Sequence, residues 1–266
     1  MQPNDLNDPQ GGRPIQFVPD LAERVRALNA RCRNDSAAAV VRHALGDEWT
    51  GRLALVSSFG AESVVLLHMI AQADRSVPVI FIDTLLLFPE TLGYQQALSE
   101  RLQLSDVRII RARDDALARH DPDGMLHRHD PDACCALRKT VPLQTALAGF
   151  DGWFTGRKRF HGATRERLEF FEIEPGTGRL KVNPLAHWRR EDVQAYIEEH
   201  RLPRHPLVAR GYPSIGCMPC TSPVRADEDP RAGRWRGRDK TECGIHFAAG
   251  RALPAAAGIR TTGVNA

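Results

Sequence analysis

Arg52-Leu53-Ala54-Leu55-Val56-Ser57-Ser58-Phe59-Gly60-Ala61-Glu62-Ser63, followed by Val64–Ala73, decides how the chain is read. Residues 52–57 form a short apolar run of strand type. Small and polar residues 58–63 interrupt it, and residues 64–73 then read as a helix. The pattern predicts a strand that feeds a turn and then a helix N-terminus. Such a turn presents unpaired N–H groups and the positive end of the helix dipole to an anion. Ser57, Ser58 and Ser63 add hydroxyls, and Gly60 lets a ligand approach the backbone. The segment is neither Gly-x-x-x-x-Gly-Lys-Ser/Thr nor Gly-x-Gly-x-x-Gly, so neither a kinase-type phosphate loop nor a dinucleotide fingerprint is predicted.

Outward from this unit the alternation continues. Pro78–Ile82 reads as a second buried strand, leading to Asp83-Thr84 and a helix from Pro89 to Arg101. Val107–Ile110 reads as a third strand, and Phe154-Thr155-Gly156 as a fourth. Alternating strands and helices predict an α/β fold, a mainly parallel sheet with helices on both faces. Ala22–Ala30 and Ala37–Leu45 read as two helices before it, separated by an Asp35-Ser36 cap. Leu168–Ile173 and Arg179–Val182 read as a hairpin, and Glu191–His200 as a helix with Val193, Tyr196 and Ile197 on one face. Three regions follow: residues 1–50, with a disordered start over Met1–Pro14 and two helices; an α/β domain over 51–225; and an Arg-rich tail over 226–266.

The 266 residues are 42% hydrophobic and 26% charged, which supplies a core and excludes wholesale disorder. No apolar run approaches the roughly 18 residues of a bilayer span. The polar start carries no signal core, so a cytoplasmic protein away from membranes is expected. A net charge of +3 is too mild to argue for nucleic acid. Only Lys139, Lys158, Lys181 and Lys240 are lysines among the 36 basic residues, so arginine dominates.

Six cysteines in a chain of this length do not make a disulfide scaffold. Four of them form two pairs, Cys134-Cys135 and Cys217-Met218-Pro219-Cys220. Two thiol pairs brought together by the fold suit zinc or an iron–sulfur cluster. Adjacent cysteines diverge, and a cluster offers each thiolate its own iron, so [4Fe–4S] is preferred to zinc. Asp130-Pro131-Asp132 reads as a helix start before Cys134, with Lys139 one turn beyond Cys135. Pro142 is expected to limit or kink that helix. Cys32 reads as core. Cys243 stands alone after Arg231, Arg234, Arg236, Arg238 and Lys240, a basic neighbourhood that favours thiolate. Gly156-Arg157-Lys158-Arg159 with Arg165 reads as an anion-binding loop at a strand end.

Taken together these residues resemble the bacterial assimilatory adenylyl-sulfate reductases of the phosphoadenylyl-sulfate reductase family. The matching pieces are Ser57–Ser63, Phe81–Thr84, Cys134–Lys139, Thr155–Arg159 with Thr164-Arg165, Ile215–Cys220 and Glu242–His246. Arg231 and Arg234 fall 11 and 14 residues after Cys220, as in that family. Leu85 stands where family members commonly carry glycine. The resemblance implies an adenine nucleotide α-hydrolase-like, Rossmann-like fold with a catalytic C-terminal tail. It implies a nucleotide site over Ser57, Ser58, Phe59, Gly60, Glu62, Ser63, Asp83, Thr84 and Gly156, with Lys139, Arg165, Arg231 and Arg234 on the phosphosulfate. It implies a [4Fe–4S] cluster on Cys134, Cys135, Cys217 and Cys220, and Cys243 as nucleophile. The expected substrate is adenosine 5′-phosphosulfate. The expected partner is thioredoxin or a glutaredoxin-like reductant, and a homo-oligomer is compatible with all of this. Two other activities would share parts of the pattern: reduction of the 3′-phosphorylated nucleotide, and ATP-dependent tRNA thiolation. The second generally needs Ser-Gly-Gly-x-Asp-Ser, where Phe59 and Glu62 stand here. A non-catalytic zinc module is the remaining alternative.

Overall fold

The computed structural model describes residues 20–162, 165–238, 240 and 245. The expectations for Met1–Pro14, Thr164, Cys243 and the neighbours Glu242, Gly244 and His246 lie outside the described residues.

Two helices come first, α1 over Leu21–Arg31 and α2 over Ala37–Gly46. The Ser36 hydroxyl caps α2 by accepting from the Ala39 N–H at 3.2 Å, the bond expected of a Ser at that position. Then β1 (Leu53–Val56), α3 (Ser63–Ala73), β2 (Val79–Ile82), α4 (Pro89–Leu102) and β3 (Val107–Ile110) alternate as the sequence predicts. After α5 (Asp114–His120), α6 (Leu126–His129), α7 (Pro131–Cys135) and α8 (Val141–Ala146) come β4 (Gly152–Phe154), β5 (Phe171–Ile173), β6 (Leu180–Val182) and α9 (Arg190–Glu199).

The six strands form one sheet in the order β3-β2-β1-β4-β6-β5. Every pairing is parallel except the β5–β6 hairpin. Alternate residues of a strand face opposite sides, and both sides are covered. Leu53, Leu55, Val79 and Phe81 pack toward α1–α4 and α9, whereas Ala54, Ile80, Ile82 and Trp153 pack on Leu143 and Leu147. Cys32 is fully buried with the first group. From β1 the chain runs outward to β2 and β3 on one side, and β4 and β6 lie on the other. The order therefore reverses beside β1, and the crevice at the carboxyl ends of β1 and β4 is where open α/β sheets hold ligands.

One strand is displaced from its expected place. The fourth strand spans Gly152–Phe154 rather than Phe154–Gly156. Gly152 looks like a turn residue, but it is in the strand because a side chain there would strike the Leu180 carbonyl and the Leu53 side chain. The helix carrying the paired cysteines also departs from regular form. Between α7 and α8, Ala136–Thr140 is a π-turn. Pro142 follows two residues later; its ring and missing N–H disfavour a regular α-turn against the carbonyl four residues back, and a wider turn relieves that conflict. Among the described residues beyond Leu202, two short 3-10 turns, Pro206–Arg210 and Met218–Cys220, carry regular structure. Among the described residues no helix is long and apolar enough to cross a membrane.

Candidate active site

At the reversal point lies a cavity of about 730 Å³. Ser57, Ser58, Gly60, Glu62 and Ser63 of the β1–α3 turn form one wall. The turn closes on itself: the Phe59 N–H donates to Ser57 Oγ at 3.2 Å, and the Gly60 N–H to Ser63 Oγ at 3.0 Å. Gly60 is pressed between Ser58 and the Ile215 carbonyl, so a Cβ there would have to push one of them aside. Thr84 and Lys139 border the cavity from the other side of β1, Gly156 and Arg165 from the β4 side, and Arg231, Arg234 and Cys217 from the tail.

Lys139 is buried, not solvated. It lies within the Ala136–Thr140 π-turn, so it reaches the cavity by a different path from the regular helical turn the sequence suggests. Arg234 donates to the Ile215 carbonyl at 3.2 Å and lies over the Trp235 ring, with its centroid 4.4 Å away. Gly216 leaves room for that guanidinium, which a Cβ would strike.

Two residues of the expected nucleotide site stand beside the cavity rather than on its lining. The Phe59 side chain enters the core, edge-on to Phe81 at 5.2 Å between centroids. Its left-handed backbone, φ 48°, turns the ring inward. Asp83 does not line the cavity either. Its carboxylate accepts from the Leu85 N–H and from Arg111, both at distances near 2.8–2.9 Å, and borders a separate groove against α4.

The paired cysteines are the last two residues of the five-residue helix α7. Asp130 caps that helix by accepting from the N–H groups of Asp132 and Ala133. Cys134, Cys135 and Cys217 are buried and Cys220 is partly buried, and none of the four is in a disulfide. Burial first, and then the neighbouring Cys135 and Cys217, push the Cys134 thiol up to about 12. Burial and Cys217 likewise raise Cys220, and Lys139 opposes them. The four thiols and Lys139 thus share one neighbourhood. Among the described residues no three His, Cys, Asp or Glu side chains are gathered closely enough to hold a metal ion.

Arg157 and Lys158, in the loop read as anion-binding, line the cavity, and so does His161, which the sequence reading did not single out. Lys158 is buried and pairs with Glu62 at 2.8 Å, while Arg157 is held by Glu172, Thr155 and Asn183. The run Arg157-Lys158-Arg159 marked the loop as basic, but nothing local distinguished Lys158 or His161, since their partner is nearly a hundred positions away.

Residues 52–223 match the family described as the phosphoadenosine phosphosulfate reductase domain. The chain belongs to that family. Within the phosphoadenosine phosphosulfate reductase family it is similar to curated proteins named adenosine 5′-phosphosulfate reductase. The one from Mesorhizobium japonicum is 46% identical, over 88% of this chain and 93% of that protein. The one from Chelativorans sp. is 45% identical, over 86% and 94%. Among solved structures, the phosphoadenylyl-sulfate reductase of Candida auris, a phosphate complex, aligns with TM-score 0.65 and 30% identity over 76% of this chain and 97% of that one. Candida glabrata FMN adenylyltransferase, at 16% identity and TM-score 0.52 over 86% and 84% of the two chains, shares the fold alone. Against the family's usual glycine, Leu85 is here half exposed in a left-handed conformation, φ 61°.

Proposed function

We propose that the chain reduces adenosine 5′-phosphosulfate to sulfite and AMP, as a step of assimilatory sulfate reduction serving cysteine biosynthesis. The observation that carries this reading is the convergence of the Ser57–Ser63 turn, Lys139, Arg165, Arg231 and Arg234 on one cavity at the sheet's reversal point. A serine-rich helix N-terminus ringed by cations suits a phosphosulfate. Cys243 is the proposed nucleophile; Lys240 and Ile245, the described residues that flank it, both border that cavity.

The chemistry balances without another oxidant. The Cys243 thiolate attacks the sulfate sulfur, the S–O bond to the phosphate breaks, and AMP departs with its charge neutralised by Arg and Lys. This leaves an S-sulfocysteine. A thioredoxin thiolate then attacks Cys243 Sγ and releases sulfite. The second thioredoxin thiol resolves the mixed disulfide, so the dithiol supplies the two electrons.

Cys134, Cys135, Cys217 and Cys220 offer a [4Fe–4S] cluster four soft sulfur donors in one mostly buried neighbourhood, where burial and the adjoining thiols push Cys134 and Cys220 up. When bound, such a cluster would supply a structural and electrostatic centre beside the substrate rather than electrons. Lys139, which borders the cavity and offsets the Cys220 environment together with Arg238 and Arg234, is one of the side chains that join the two regions.

The similarity to the Candida auris enzyme favours one second reading, use of the nucleotide with a 3′-phosphate. An anaerobic sulfite-release assay with thioredoxin and both nucleotides separates them. Higher kcat/KM for adenosine 5′-phosphosulfate supports the first reading; equal or better use of the 3′-phosphorylated compound supports the second.

A further inference from the structure

The Gly156–Arg165 loop meets the β1–α3 turn at one carboxylate. Glu62 Oε2 is 2.8 Å from Lys158 Nζ and 3.1 Å from His161 Nε2. On the far side of the ring, His161 Nδ1 is 3.4 Å from Arg165 Nη1. A guanidinium only donates. Nδ1 must therefore accept from Arg165, and the ring proton sits on Nε2, where it is donated to Glu62. A second proton on Nδ1 would confront the Arg165 N–H. The imidazole also packs edge-on to Phe160, with centroids 4.4 Å apart. The Lys158 side chain is 3% exposed, and an ammonium at that depth requires its carboxylate partner. All of these side chains border the cavity.

We propose that His161 is a positioning residue for nucleotide binding, which orients Arg165 toward the cavity by accepting its N–H while donating to the Lys158-anchored carboxylate of Glu62. The proposal rests on the reading of the cavity as the nucleotide site. The Arg165 side chain is long and rotamer-rich, and a free guanidinium loses entropy when it settles on an anion. The contact with His161 restricts its rotation beforehand without consuming its charge. Glu62 in turn has two partners within the protein, Lys158 and His161. It compensates Lys158 and gives the imidazole a fixed tautomer, as a carboxylate partner does in many histidine sites.

The test compares the full-length, anaerobically purified wild type with His161→Ala and His161→Gln. AMP affinity is read by calorimetry, and KM and kcat with adenosine 5′-phosphosulfate. His161→Ala should raise the AMP dissociation constant and KM together by about tenfold, with a much smaller change in kcat. His161→Gln carries an amide N–H for Glu62 and a carbonyl for Arg165, and should restore AMP affinity to within about threefold of wild type. If the alanine variant does not fold, His161→Phe, which keeps the packing but neither hydrogen bond, should show the same loss. Wild-type AMP affinity in the Ala or Phe variant overturns the proposal, as does a Gln variant no better than Ala. A wild type that binds no AMP overturns the reading of the cavity itself, a different result from either.

Discussion

Thr84 Oγ1 stands 3.2 Å from Cys217 Sγ, joining the end of β2 to the first thiol of the Cys217–Cys220 pair. Thr84 and Cys217 both border the cavity. The Arg138 guanidinium, buried against Asp121, donates to the Thr84 carbonyl at 2.9 Å, so the cysteine-bearing helix segment is tied to the same loop. Thiols and anion site are therefore one mechanical unit. The geometry of one cannot relax without moving the other.

The cluster reading makes Cys217→Ser a decisive variant. Anaerobically purified wild type should carry iron and sulfide at close to four of each per chain, as a [4Fe–4S] centre requires. The Ser variant should lose most of both. Full iron content in that variant would remove Cys217 from the ligand set.

Gly216 offers a test of Arg234 that leaves the arginine in place. A methyl at Gly216 collides with the guanidinium. Gly216→Ala should therefore weaken substrate use by about tenfold, the cost of one charge-assisted contact of about 1.5–3 kcal/mol, and Arg234→Ala should do the same. Lys139→Ala, which removes a buried cavity cation, should lose a similar amount. Steady-state kinetics check all three. Unchanged kcat/KM in Gly216→Ala would show that Arg234 is not used in the pose seen here.

The acid side of the stability profile should carry the mark of Glu62. Burial alone would raise its pKa, but Lys158 and His161 hold the carboxyl at about 2, well below the usual 4.5. The folded value is the lower one, so the stabilisation is complete above about 4.5 and is lost as pH falls toward about 2. Burial pushes His161 down as well, which also makes acid unfavourable to the fold. Glu62→Gln should flatten denaturant-melt stability between pH 4.5 and 2 relative to wild type. Parallel curves would mean that the carboxylate is not held by this pair.

Leu85 pays for its conformation. A non-glycine residue at φ 61° costs about 1–2 kcal/mol, and the side chain is half exposed. Leu85→Gly should raise thermal stability by up to about 1 kcal/mol, since the greater freedom of unfolded glycine offsets part of the relief. A lower Tm would show that the leucine makes a contact worth more than the strain.

The sheet was legible because β1, β2 and β3 are short apolar runs between turn residues, and buried parallel strands look like that. The start of β4 at Gly152 was not legible, because a glycine required by close packing looks the same in sequence as one required by a turn. The cavity's cations were half legible. Arg165, Arg231, Arg234 and Lys139 stand in motifs, whereas His161 acts through a carboxylate from another part of the chain. Phe59 and Asp83 fall in loops at the sheet's carboxyl end, and a left-handed residue and a side-chain–backbone turn set the direction of their side chains, which simple alternation does not reveal.

The central claim is that Cys243 carries the sulfo group, and peptide mass analysis tests it most directly. Wild-type protein incubated with adenosine 5′-phosphosulfate and no reductant should gain the mass of one SO₃ unit on the peptide containing Cys243, and thioredoxin should then remove it as sulfite. Cys243→Ser should keep its iron, bind AMP and release no sulfite. The added mass on any other cysteine, or sulfite release by the Ser variant, would contradict the account.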